Sequence, residues 1–210
     1  MIFGYTFATP ICVKHKDDYP MKQHTIFIAC MGLSIILLSS SYQIPNIELV
    51  KTKITENISL GVPKSFQSMT EELMNQRYLT ARKPIAAYTN DKRMVDLTVN
   101  TSNTRWQPSD LPMLKDFYKA SLLELYDEVS FSREEIEEIN GKNFVVFEFT
   151  SIVRPEENAL NPQQPVRKYT RIQYTVHGGK TLVFNFTCPQ ALQQQWESTA
   201  GKIMQSIQIK

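Results

Sequence analysis

The residues that carry most catalytic and metal chemistry are scarce in this sequence, with three cysteines, three histidines and seven glycines among 210 residues. No Gly-rich phosphate loop, zinc-type Cys/His spacing or nucleophile elbow occurs in it. An Asp-x-Asp-x-Asp-Gly loop, which gathers several oxygens around a hard cation, is missing as well. An excess of one charge is also lacking: 23 Lys and Arg stand against 21 Asp and Glu. That balance leaves no global basic field for nucleic acid or anionic lipid. Nor is there an apolar run long enough to span a bilayer, which takes roughly 20 residues. The longest runs from Ile26 to Leu38 and is broken by Gly32 and Ser34.

That run has the length of a signal-peptide core. Lys22 and His24 precede it, and Ser39, Ser40 and Ser41 follow, small side chains that suit signal peptidase. We expect residues 1–41 to be an N-terminal extension and signal peptide, with cleavage near Ser41–Tyr42 and translation starting at Met21. Cys30 sits too early in the run to be a lipoprotein cysteine. Removal of 1–41 takes away three Lys and two Asp, leaving 20 basic against 19 acidic residues and no membrane span. Of their kinds only Cys188 and His177 remain, so no intramolecular disulfide is available and a hydrophobic core has to hold the domain.

Residues 42–57 read as a linker running into a first strand, and 58–210 as one domain. "ISLGVP" ends on a turn signal, and "SMTEELMNQRYL" reads as a short helix capped by Ser68 or Thr70, with Glu71 and Glu72 favoured in its first turn. "PIAAYTNDKRMVDLTVNTS" reads as a hairpin turning at Asn90-Asp91, with Val95, Leu97 and Val99 on one face. A helix follows, capped by Ser109 or Asp110, with an apolar stripe of Leu111, Leu114, Tyr118, Leu122 and Leu125. Two long hairpins then pivot on Asn140-Gly141 and Gly178-Gly179, separated by a Pro/Asn/Gln-rich surface loop at 154–166. Leu192, Trp196, Thr199, Ile203 and Ile207 mark a closing helix. Tight turns make antiparallel pairs, so the expectation is an α+β, three-layer αβα sandwich around a central antiparallel sheet.

The stretches "LGVPKSFQSMTEELMNQRY", "KPIAAYTND", "EEINGKNFVVFEF", "GGKTLVFNFTCP" and above all "WESTAGKIMQSIQI" resemble the Mog/PsbP-like superfamily. Bacterial exported PsbP-related and DcrB-like domains are the nearest flavour, over Ile58 to Ile209. The resemblance implies an αβα fold and a binding or scaffolding role, and carries no catalytic signature. No catalytic, cofactor-binding or metal-ligating residue is carried over, and no cofactor is implied.

Four local features invite chemistry. Pairing about the Gly178-Gly179 turn sets His177 opposite Lys180 and Cys188 opposite Tyr169, about 27 Å apart along the hairpin, too far for a Cys–His couple. Glu134, Glu135, Glu137 and Glu138 read as a solvated strand edge. Basic residues gather at Arg77, Arg82, Lys83, Lys92 and Arg93, and again at Arg154, Arg167, Lys168 and Arg171. Tyr78, Tyr88, Tyr169 and Tyr174 are interleaved with them; this pattern fits an anionic ligand, a peptidoglycan or lipid surface or, more blandly, ordinary surface charge. Asn57, Asn100 and Asn185 each begin a glycosylation sequon, which matters only on a eukaryotic secretory route. The expected function is an exported, non-enzymatic binding or scaffolding module of the cell envelope, periplasmic or envelope-associated. Its partner would be an envelope protein or small ligand, held on a sheet face or near the 154–167 loop. The alternative is an enzyme whose site is assembled from scattered polar residues.

Overall fold

Two tight turns organise the molecule. Asn140 (φ 51°) with Gly141 (φ 78°), and Gly178 (φ 57°) with Gly179 (φ 71°), place both central residues in the left-handed region, as a type I′ hairpin turn requires. In the computed structural model, which describes residues 47–78, 83–102, 104–155 and 164–210, these turns join β6 (Glu128–Ile139) to β7 (Lys142–Val153) and β8 (Val166–His177) to β9 (Lys180–Pro189). The second hairpin has the expected register, His177 opposite Lys180 and Cys188 opposite Tyr169.

Before these come β1 (Leu49–Lys53), β2 (Ile58–Pro63), β3 (Phe66–Ser68), α1 (Glu71–Arg77), β4 (Ala86–Asn90), β5 (Asp96–Ser102) and α2 (Leu111–Leu125). After them come α3 (Gln193–Gln205) and β10 (Gln208–Ile209). Seven strands form one antiparallel sheet in the order β3-β4-β5-β9-β8-β7-β6. The acidic run lies on β6 at its edge, as expected.

Both faces of this sheet are covered. α2 packs on one of them, burying Leu111, Leu114 and Leu122 against Val145, Phe147, Phe149 and Tyr174. On the other face α3 lays Trp196, Ala200, Ile203 and Met204 against Val146, Phe184 and Phe186. Truncating Trp196 there would forfeit about 3–5 kcal/mol. A small sheet of order β1-β2-β10, which the sequence reading had not resolved, joins α3 on that side. Its β1 is the strand expected at the end of 42–57, paired residue for residue with β2. Gly61 permits the close approach: its N–H donates to Ser206 Oγ at 2.7 Å, and a Cβ there would stand 3.2 Å from Leu49.

Three sequence expectations need correction. Leu125, the last member of the α2 stripe, is 67% exposed. The chain leaves the helix in an extended conformation at Tyr126, whose ring packs on Phe149 at 5.9 Å between centroids and takes the place meant for Leu125. Arg171, read as surface charge, is buried, and Tyr169 and Tyr174 are buried with it. β8 lies between β7 and β9, so its alternate residues point into two cores and neither set reaches solvent along most of its length. The acidic run is ion-paired as well as solvated. Glu134 meets Lys115 and Lys119 from α2, and Glu135 and Glu137 meet Arg133.

Candidate functional site

A helix of fifteen residues is about 22 Å long, whereas a twelve-residue strand runs about 40 Å. α2 therefore cannot roof the long hairpins from end to end. It covers the part nearest the hairpin turns and stops at Leu125. Beyond it the floor passes to mostly polar residues of four strands, which the register brings onto the α2 face: Asp96 opposite Thr187, Thr187 opposite Thr170, Lys168 opposite Ser151, and, at the end, the apolar Val166 opposite Val153. The result is an open groove of ≈ 650 Å³, within the roughly 300–1,000 Å³ usual for ligand sites.

Its walls are built locally. Thr70 caps α1, its hydroxyl accepting from the Leu73 N–H at 3.3 Å, and the helix delivers Arg77 and Tyr78 to the groove. Arg77 is anchored twice, by an ion pair to Asp96 and by donation to the Arg93 carbonyl. Asp96 also accepts from Thr89 Oγ1 at 2.7 Å, so the carboxylate serves as a fixed bracket. On the adjoining 91–94 loop, Asn90 Oδ1 accepts from the N–H groups of Met94 and Val95 at 2.9 and 3.2 Å. That arrangement holds Arg93 at φ 54°, an uncommon conformation for a side chain of its size. Tyr126 and Val153 bring apolar surface opposite.

The basic clusters at 77–93 and 154–171, separate in sequence, thus meet at one groove through Arg77, Arg93 and Lys168. Lys92 and Arg167 lie outside this groove, and others of those clusters are engaged elsewhere. Lys83 pairs with Glu71 at 2.7 Å, Arg154 pairs with Glu128, and Arg171 binds Glu148 beneath α3; Arg82 lies outside the described residues. The groove borders the 154–166 stretch through Val153 and Val166, where the sequence reading had looked for a site; residues 156–163 are not among those described.

Burial shifts some of the ionisable groups among the lining residues. Burial pushes the Cys188 thiol up to about 12, so at neutral pH it is no thiolate. Burial, reinforced by the Asp96 charge, lifts the Tyr78 phenol to about 12, leaving it a neutral hydrogen-bonding group. His177 is at the opposite end of its hairpin and does not line the groove. Among the described residues no group of three or more His, Cys, Asp or Glu converges as a metal site would require. Asn185, read only as a sequon, lines the groove instead, and its buried Oδ1 accepts no hydrogen bond from the described residues. No local motif marks Asn185 or Asp96; the strand register alone brings them here.

No protein-family model matches the chain, and no curated protein sequence matches it. Solved structures do. Cyanobacterial PsbP (CyanoP) from Synechocystis superposes with a TM-score of 0.50 at 13% identity, covering 83% of this chain and 99% of that one. The Saccharomyces cerevisiae Ran-binding protein Mog1p gives 0.52 at 12% identity, covering 78% of this chain and 96% of that one. The chain has the Mog/PsbP-like fold. LpqN of Mycobacterium tuberculosis, involved in cell envelope biogenesis, aligns more loosely, with a TM-score of 0.46 at 12% identity over 79% of this chain and 92% of its own. Within the Mog/PsbP-like frame, no helix of the described residues is long and apolar enough to cross a membrane.

Proposed function

We propose that this chain is an exported, non-enzymatic binding module of the cell envelope that holds its ligand in the groove between α1, the 91–94 loop and the uncovered end of the sheet. One observation carries the reading: two basic clusters far apart in sequence converge, with tyrosines, on a single concavity of ≈ 650 Å³. Convergent arginines would serve an enzyme equally well. Cys188, whose side chain packs in the core beneath α3, and the groove's Tyr78, however, stay protonated at neutral pH, which suits binding over nucleophilic or base catalysis. That Mog1p, a protein of the same fold, is a Ran-binding protein supports the fold as a binding scaffold; its partner is not carried over. The export part of the reading rests on the short apolar run at Ile26–Leu38 and the serines after it.

The test is affinity capture of the full chain from envelope extract, with Lys168→Glu as the control. A partner or ligand retained by the parent chain and lost by the variant is the expected result. Recovery of nothing, together with turnover of some substrate, would overturn the binding reading in favour of an enzyme. Mass spectrometry of the chain from its native source tests export separately. An N-terminus near Tyr42 is expected, and an intact Met1 or Met21 argues against cleavage.

A further inference from the structure

Among the described residues three cations and one carboxylate line the groove, and that carboxylate, Asp96, is already engaged by Arg77 and Thr89. Arg93 and Lys168 have no ion-pair partner among the described residues. A lone exposed cation means little. Two of them lining one concavity, backed by a third held in place, give it a local positive potential. Arg93 adds an independent mark. It occupies a left-handed backbone position that glycine would take without strain, and its carbonyl is tied to Arg77. Backbone strain of this kind gathers where a side chain has to be presented.

The remaining lining is mixed. Tyr78, Tyr126, Met94, Val153 and Val166 offer rings and apolar surface, while Asn185 Oδ1 is a buried acceptor without a donor among the described residues. We infer that the ligand of this groove is a small amphipathic oxyanion: a phosphate or carboxylate head held by Arg93 and Lys168, a ring-sized apolar body against Tyr78 and Tyr126, and a hydrogen-bond donor that reaches Asn185. This inference rests on the groove being the binding site, as proposed above.

The experiment is an amide-resolved NMR titration of the full chain with phenyl phosphate, benzoate and benzamide, the last an uncharged analogue of benzoate. Both anions are expected to move the Met94, Asn185 and Thr187 amides saturably, and to bind more weakly as salt is raised. Arg93→Gly, which relieves the backbone, and Lys168→Gln should each weaken the anions by about tenfold, the usual cost of one charge-assisted hydrogen bond. Spectra unchanged outside the groove confirm that the variants fold. Preference for phenyl phosphate over benzoate, or the reverse, assigns the head group. Benzamide binding as well as benzoate, or affinities indifferent to both substitutions, overturns the oxyanion inference and leaves the groove reading standing. Failure of all three probes to move any groove amide also overturns it, and the capture experiment then decides the groove on its own.

Discussion

At position 188 a single side chain decides between two chemistries. Cys188 is 1% exposed on the penultimate residue of β9, packed in the core beneath α3, and burial pushes its thiol up to about 12. A buried thiol resists ionisation because the thiolate would lose its hydration. Alkylation at pH 8 should therefore spare Cys188 in the folded chain and proceed once denaturant is added, which mass spectrometry of iodoacetamide-treated protein would show. The same shift bears on stability. Below about pH 9 the thiol is protonated whether the chain is folded or not, and its contribution is intact. Between there and about 12 only the unfolded thiol ionises, so stability falls as pH rises, by about 1.4 kcal/mol per pH unit for this group. Tyr78, also raised to about 12, acts in the same direction from its ordinary value near 10. Urea titrations from pH 8 to 11 should show that decline, and Cys188→Ala should lessen it.

At the scale of elements, the Asn140-Gly141 turn does more than reverse the chain. Asn140 Nδ2 donates to the carbonyls of Gln205 and Ile207 at 3.1 and 2.8 Å, tying the β6–β7 hairpin to the end of α3 and the start of β10. Asparagine suits the site twice, since it tolerates φ 51° and carries the donor. Asn140→Ala should cost about 2 kcal/mol from two lost hydrogen bonds and a strained backbone, seen as a lower urea midpoint. Asn140→Gly should cost less, because it keeps the backbone freedom and loses only the tie. The turn itself was legible from the dipeptide; its grip on α3 was not, because the partners lie more than sixty residues away. The α2 stripe shows the opposite failure. Periodicity continues through Leu125, but the helix stops there and Tyr126 takes the contact on Phe149, so a pattern correct in phase misassigns its last member.

At the scale of the whole molecule, the sheet buries charge where the composition promised only an ordinary core. Glu148 and Arg171 pair at 2.9 Å under α3, each side chain 7% exposed, and the Tyr169 hydroxyl donates to the other Glu148 oxygen at 2.8 Å. Such a pair adds little net stability when complete but is costly to halve, because the survivor is left charged and unpaired. Glu148→Gln should lose about 3–5 kcal/mol, whereas Glu148→Leu with Arg171→Met should lose markedly less. Equilibrium unfolding of the two variants side by side would decide it; equal losses would mean that the pair is not the cause.

Alternation and turn chemistry were enough to read the hairpins, the register of β8 on β9, the Thr70 cap and the buried stripe of α3 from the sequence, since each depends on residues a few positions apart; Asp110, expected to cap α2, stands at its N-cap but its side chain makes no cap hydrogen bond there. The tertiary structure alone decided which basic residues meet. Arg77, Arg93 and Lys168 look no different in sequence from Lys83, Arg154 or Arg171, yet the first three line one groove, Arg77 paired there with Asp96, and the others form ion pairs elsewhere. The difference comes from strand order and helix length: β5 lies beside β9, which brings residues ninety positions apart onto one face, and α2 is too short to cover that face. A side chain's neighbours across a sheet are set by pairing, and pairing between distant strands leaves no local mark.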